Sequence, residues 1–320
     1  MTRRELDAAE IHDPALRAAY TWCRDVNARH GRTYFLATRM LTPAQRPAVH
    51  ALYGFARWLD DIVDEPDAGA TPESLAVRLS EVEDRFLADL AAGTSEDRLL
   101  TAVIDTAARY ELEERLFRAF FASMRMDLSV TDYATRTDLD DYVHGSAEVI
   151  GLQVLPILGA MAPREEAAPR AAALGKAFQL TNFLRDIAED FARGRVYLPA
   201  DELKEHDVDR ERLSWCAEHG RSDVRVRVAI KEQIAVTRRV YAEARPGIAM
   251  LHPVSRPCVA TAATLYGEIL DRIEDADHDV FACRATVSRR RRLGVACGAL
   301  ARARWARTRY PTPAPPSAVA

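Results

Sequence analysis

At 320 residues, with 48% hydrophobic and 29% charged side chains, the chain is long enough for one large core, as a single domain or two intimately packed halves, and its make-up is that of a globular protein, not a disordered one. The formal charge of −4 hides an asymmetry: residues 280–320 hold nine arginines and no acid, leaving −13 on the first 279 residues. Five cysteines without a CxxC pair and eight histidines without HxH or HExxH spacing argue against a zinc site or a disulfide framework.

Met1 to Asp7 has no apolar run to serve as a secretory signal, which predicts a cytoplasmic location. Asp13-Pro14 reads as an N-cap followed by proline at the first helical position, and Gly31 as the stop of that helix. Thr42-Pro43-Ala44-Gln45 reads as a second capped start and also fits a capping box. Apolar residues at three- and four-residue spacing recur through 14–30, 43–63, 73–90, 97–109, 111–128, 147–161, 169–190, 222–244 and 256–275. With no convincing strand run, the fold is predicted to be all-α. The longest apolar stretch, Val149 to Ala162, is too short to span a bilayer and contains Pro156, so it reads as a core helix.

Two of these helical segments repeat aspartate at i and i+4: Asp60 with Asp64, and Asp186 with Asp190. Residues four apart lie one turn, roughly 6 Å, apart on one face, so each pair is a two-oxygen clamp. Mg²⁺ takes only one or two carboxylates and fills its other positions with water and substrate phosphate oxygens, so two clamps predict a diphosphate substrate. Tyr53, Arg57, Asp60 or Asp61, and Asp64 form one helical stripe; Gln179, Asn182, Asp186 and Asp190 form another. Apolar neighbours around the second stripe turn it inward to a cavity, where a row of carboxylates is costly unless cations neutralise it.

Four ordered blocks carry a family likeness: His30-Gly31-Arg32-Thr33-Tyr34-Phe35; Ala51 to Arg57 running into Asp60-Asp61-Ile62-Val63-Asp64-Glu65; Tyr142-Val143-His144-Gly145-Ser146-Ala147 with Gly151; and Gln179 to Asp190 continuing through Arg193-Gly194-Arg195-Val196-Tyr197-Leu198-Pro199. Over residues 15–292 the chain resembles the squalene and phytoene synthases, most of all the bacterial phytoene synthases. The resemblance implies the all-helical isoprenoid synthase fold, a single bundle around a central cavity, with two aspartate helices facing each other. It also implies head-to-head joining of two prenyl diphosphates, through a cyclopropylcarbinyl diphosphate, to a linear hydrocarbon. For the phytoene branch the substrate is geranylgeranyl diphosphate and the last step is proton loss.

By the same likeness Asp60, Asp64, Asp186 and Asp190 match Mg²⁺-binding carboxylates (Mn²⁺ serving equally), with Asp61 and Asn182 beside them. Arg57, Arg185 and Arg195 are placed to hold phosphate oxygens, with His30, Arg32 and Arg284 as further donors and Gln179 and Asn182 orienting substrate or a metal-bound water. Tyr53, Tyr142 and Tyr266 match positions that line the cavity, where ring faces stabilise carbocations. No side chain stands out as the final base, and the released diphosphate is itself an acceptor. Phe191-Ala192, His278 and Cys283 depart from the usual pattern.

No NADPH is expected, since no strand–GxGxxG–helix unit occurs and the blocks match the branch that ends by proton loss. Open alternatives are a C15-using squalene or dehydrosqualene type of enzyme, a prenyltransferase acting on an aromatic acceptor, and a non-catalytic scaffold. Residues 1–285 are expected to form the catalytic domain and 286–320 an Arg-rich, Pro-terminated tail. That tail suits peripheral contact with an anionic membrane; nucleic acid is not expected as a partner.

Overall fold

The computed structural model describes residues 3–64 and 69–313; the side chains of Arg32 and Thr33 fall outside that description, as do Glu65 and the end of the chain from 314. Its helices are α1 (Arg3–Ala8), α2 (Pro14–His30), α3 (Arg32–Thr38), α4 (Arg46–Asp64), α5 (Pro72–Ala92), α6 (Arg98–Tyr110), α7 (Glu114–Met126) and α8 (Arg136–Val143). A π-turn, His144–Glu148, leads into α9 (Val149–Leu158), then α10 (Arg164–Ala192), α11 (Ala200–Lys204), α12 (Arg210–His219) and α13 (Val224–Ala244). The remainder is α14 (Pro246–Met250), α15 (Arg256–Asp275) and α16 (Arg289–Arg309). Among the described residues there are two isolated β-bridges and no strand, so the fold is all-α as expected. No helix among them is long and apolar enough to cross a membrane.

Local chemistry sets many of the helix ends. Asp13 accepts from the Leu16 amide at 2.7 Å and Pro14 opens α2. Thr71 with Ser74, and Thr135 with Asp138, close reciprocal caps on α5 and α8. One expected start moves. The α4 helix begins at Arg46, not directly after Thr42; the capping bond expected from the Thr42 amide to Gln45 Oε1 does form, at 3.2 Å, while Gln45 Nε2 donates to the Ile157 carbonyl and to Ser255 Oγ, both at 2.8 Å. Gly31 does end α2, but at φ −90° and with α3 following at once. Its lack of a side chain matters for space: a Cβ there would stand 2.3 Å from Asn27 Oδ1 and 2.9 Å from the Tyr53 ring.

Five fully buried phenylalanines, Phe55, Phe86, Phe117, Phe120 and Phe121, join α4, α5 and α7 with ring centroids 4.9 to 6.0 Å apart. Each contributes about 1.5–3 kcal/mol on burial, which makes this side of the bundle the firm base from which α4 projects. On the other side α10, the longest helix, packs against α9, the π-turn, α13 and α15. Helices α4 and α10 are thereby held apart, and the gap between them is the cavity.

The π-turn side is fitted backbone to backbone. A Cβ on Gly175 would lie 2.3 Å from the Ala147 carbonyl oxygen, and one on Gly151 equally close to the Ala171 carbonyl. We expect Gly175→Ala to lower stability by about 1–3 kcal/mol, as overpacking does when backbone must give way, read as a fall in the chemical-denaturation midpoint.

The Arg-rich stretch beyond residue 285 is a packed helix over much of its length. Ser288 caps α16, and Ala296, Ala299, Ala303 and Ala306 form its buried face. Its arginines are not all uncompensated: Arg291 forks onto Glu268 at 2.6 Å, and Arg307 donates to the Met40 and Leu41 carbonyls at 2.6 and 2.8 Å.

Candidate active site

The cavity holds about 340 Å³ and is walled largely by apolar side chains of α3, α4, α9, α10, α14 and α15. Tyr53 and Ala56 face it from α4, and Phe178, Gln179 and Asn182 from α10. Continue each stripe by one and two turns and it reaches Asp60 and Asp64 on one side and Asp186 and Asp190 on the other. None of the four acids lines the cavity itself; each pair continues a cavity-lining stripe along its helix by one and two turns.

Electrostatics separate the four acids. Burial, then the charges of Asp64 and Asp127, push the Asp60 carboxyl up to about 7. Burial and the neighbouring Asp186 push Asp190 to about 7 as well. Asp186 goes the other way: burial would raise it, but Arg185 and Arg284 outweigh that and hold it below the usual carboxylate range. Arg185 Nε donates to Asp186 Oδ1 at 2.8 Å and Arg284 Nε to the same oxygen at 2.7 Å. Asp64 is met by Arg195 at 3.1 Å and Arg193 at 3.5 Å, so the loop after the second aspartate helix reaches across to the first.

Several expected side chains are placed differently. Asp61 is paired with Arg57, four residues back on the same helix, and its charge also acts on Asp60. His30 is exposed at the end of α2. Arg32 was expected among the phosphate donors, but its side chain lies outside the described residues. Tyr266 does not line the cavity: it is buried behind Tyr34 and Phe178, whose ring centroids lie 5.4 and 4.6 Å from its own and which take the lining positions. Tyr142 is also off the cavity wall. Its hydroxyl donates to Asp127 Oδ2 at 2.9 Å, and its ring belongs to an aromatic cluster with Tyr133, Phe183 and Tyr197. Tyr53 does face the cavity, and burial pushes its hydroxyl up to about 12.

Sequence reasoning missed Asp127, Tyr34, Arg193 and Tyr197. Asp127 follows α7, is pushed up to about 6 by burial, and adds its charge to the field at Asp60. Its backbone oxygen accepts from Arg195 at 3.0 Å, which ties that arginine between the two acids. A lone aspartate has no spacing to announce it. Tyr34, Arg193 and Tyr197 lay in the family blocks without being given a role.

Do these residues suit Mg²⁺? Among the described residues no three His, Cys, Asp or Glu side chains enclose a metal by themselves. The acids stand as pairs, and the pair members Asp60 and Asp190 are crowded and short of positive charge. Asn182 Oδ1, buried beside the second pair, has no hydrogen-bond partner. Paired carboxylate oxygens with an unpartnered amide oxygen beside them are the kind of hard oxygen donor that Mg²⁺ takes.

Comparison with known proteins gives the family and the fold. Residues 27–291 match the squalene/phytoene synthase family. The chain is 37% identical over 289 residues to the 15-cis-phytoene synthase of Synechococcus elongatus, covering 87% of this chain and 91% of that one. It is also 37% identical to the phytoene synthase of Arthrospira platensis, with the same coverage. Among solved structures, a dehydrosqualene synthase in complex with ligand superposes with TM-score 0.80 at 22% identity, covering 89% of this chain and 96% of that one. A squalene synthase from Alicyclobacillus acidocaldarius superposes with TM-score 0.74 at 24% identity, covering 85% and 98%. At that identity the two structures speak for the fold alone.

The raised carboxyls predict a pH dependence with a definite sign. Without metal, folded Asp60 keeps its proton up to about pH 7 while an unfolded aspartate loses it near 3.8, so this group costs stability increasingly as pH rises through that window. Asp60→Asn should therefore melt higher than the native chain at pH 8 in chelator, with the difference shrinking toward pH 4. A difference that is flat with pH would show that Asp60 is not raised.

Proposed function

Because the chain belongs to the squalene/phytoene synthase family and is a prenyltransferase of the phytoene synthase type, we propose that it joins two molecules of geranylgeranyl diphosphate head to head with Mg²⁺. The observation that supports this reading most is the continuity of each cavity-lining stripe into an acid pair. Apolar tails belong inside and diphosphates at the mouth.

Asp60 and Asp64 hold one part of the metal site, and Asp186 and Asp190, with Asn182 Oδ1, the other. Bound there, Mg²⁺ or Mn²⁺ supplies positive charge to the diphosphate oxygens as the C–O bond breaks. Arg195 and Arg193 on Asp64, and Arg185 and Arg284 on Asp186, are already gathered at the mouth and take part of the load from the departing diphosphate. Tyr53, Tyr34 and Phe178 turn rings toward the chamber, where a carbocation is stabilised without being trapped. The apolar walls exclude water that would quench it.

In the first half-reaction one C–O bond breaks, the second prenyl double bond attacks the cation, and the released diphosphate takes the proton that leaves as the cyclopropane closes. In the second, the remaining diphosphate leaves, the carbon skeleton rearranges, and that diphosphate takes the proton whose loss gives the linear triene core of phytoene. Tyr142 serves this chemistry through Asp127, by fixing where that carboxylate and Arg195 stand. Peripheral contact with an anionic membrane, through the Arg-rich C-terminal stretch, completes the reading.

Purified protein given Mg²⁺ and C10, C15 or C20 prenyl diphosphates should make phytoene from the C20 substrate with no nicotinamide, identified by mass spectrometry. Adding NADPH should change neither rate nor product. Asp60→Asn and Asp186→Asn should each lose about 100-fold or more of turnover with helical content unchanged. After chelation Mn²⁺ should restore activity where the larger Ca²⁺ does not. Near-native turnover in either variant would sink the clamp assignment, and a stall relieved by NADPH would move the chain to the reductive branch.

A further inference from the structure

The end of the cavity away from the acids is walled by small and aliphatic side chains, among them Ala37, Leu41, Leu158, Leu251, Cys258 and Ala262. Those same residues share one buried cluster with Ala296, Ala299 and Ala303, so α16 is the outer layer over that end of the chamber. The chain beyond the helix closes the same end. Tyr310 meets the His252 ring edge-on, and Pro313 lies where a Cβ on Gly159 would come within 2.9 Å of it.

This cover is lightly held. Every residue that α16 buries fully is alanine, with Val295 and Leu300 half-buried beside them, and its polar ties are Arg291 to Glu268 near one end and Arg307 to two carbonyls near the other. A face of alanines buries far less apolar area than leucines or phenylalanines would, so lifting it costs little compared with opening the phenylalanine core. The outward side of α16 has the opposite character. Arg289, Arg290, Arg302, Arg304 and Arg309 are exposed, Leu293 and Trp305 stand out at 60% and 56% exposure, and no acid occurs anywhere from residue 280 onward. Arginines flanking an exposed tryptophan and leucine on one helix suit the headgroup layer of an anionic bilayer.

We propose that α16 docks on an anionic membrane and at the same time covers the apolar end of the cavity, so that the hydrocarbon product leaves beneath it straight into the bilayer. This rests on the functional reading above, in which the product is an uncharged hydrocarbon that water does not accept.

The test uses the full chain carrying Cys283→Ser, so that the exposed Cys297 on α16 takes an environment-sensitive fluorophore while Cys23, Cys216 and Cys258 stay buried. Vesicles of phosphatidylglycerol should shift the label's emission to the blue, phosphatidylcholine vesicles should not, and salt should reverse the shift. The same anionic vesicles should raise steady-state turnover several-fold over vesicle-free buffer while leaving the single-turnover rate unchanged. Arg290, Arg302, Arg304 and Arg309 all changed to Gln should weaken vesicle binding roughly 100-fold or more and remove the turnover gain, with detergent-assayed single turnover intact. Vesicle binding with no gain in steady-state turnover would overturn the exit. Binding to a single-stranded oligonucleotide in place of vesicles, or no binding at all, would overturn the docking. If no hydrocarbon formed from the C20 diphosphate even in detergent, the reading of the active site would fall instead, and the Cys297 label would still decide whether α16 docks.

Discussion

Crowding of carboxylates on the helices that wall an apolar chamber is the constraint from which most of this structure follows. Asp60, Asp64, Asp127, Asp186 and Asp190 are carried by α4, by the end of α7 and by α10, where burial makes ionised carboxyls costly without counter-charge. The protein answers partly with guanidinium groups. Arg195 bridges Asp64 and the Asp127 carbonyl, and Arg185 and Arg284 converge on Asp186. The answer is uneven: Asp186 is held below the usual carboxylate range, while Asp60 and Asp190 are pushed up to about 7.

Behind the mouth, the second acid helix is braced by rings instead of charges. Phe183 stacks on Tyr197 with centroids 4.1 Å apart, Tyr142 and Tyr133 complete the group, and burial raises the tyrosine hydroxyls well above their ordinary range, so they remain proton donors. A donor fixed in this way holds Asp127 in one position. The geometry of the arginine network at the mouth therefore depends on an aromatic cluster that need never meet the substrate.

How much of this was legible in the chain of letters varied with the range of the interaction. Nine long periodic segments became helices close to their expected limits, because a repeating apolar stripe is a local property that a helix satisfies by itself. The i,i+4 aspartates were legible for the same reason. What the sequence did not disclose is tertiary. Gln45 accepts from the Thr42 amide as a capping residue does, but its bonds to Ile157 and Ser255 span more than one hundred residues and left no local trace. Asp127 had no partner at helical spacing. Tyr266 and Tyr142 were expected at the cavity wall, yet Tyr34 and Phe178 occupy the surface in front of the first, and the second points its hydroxyl at Asp127. The arginine-rich end was expected as a tail because the alanines that α16 buries fully give a weak periodic signal.

Gln45 ties the walls of the chamber together. Its amide joins the start of α4 to the end of α9 and, through Ser255, whose own hydroxyl donates to the Leu158 carbonyl at 2.6 Å, to the start of α15. Three walls of the chamber are thus pinned to one another at the end opposite the acids, and they cannot slide to lengthen or shorten it. A lineage that needs a different ruler for its hydrocarbon must recut the side chains that project inside a fixed frame, one substitution at a time, and each such change leaves the reacting end untouched.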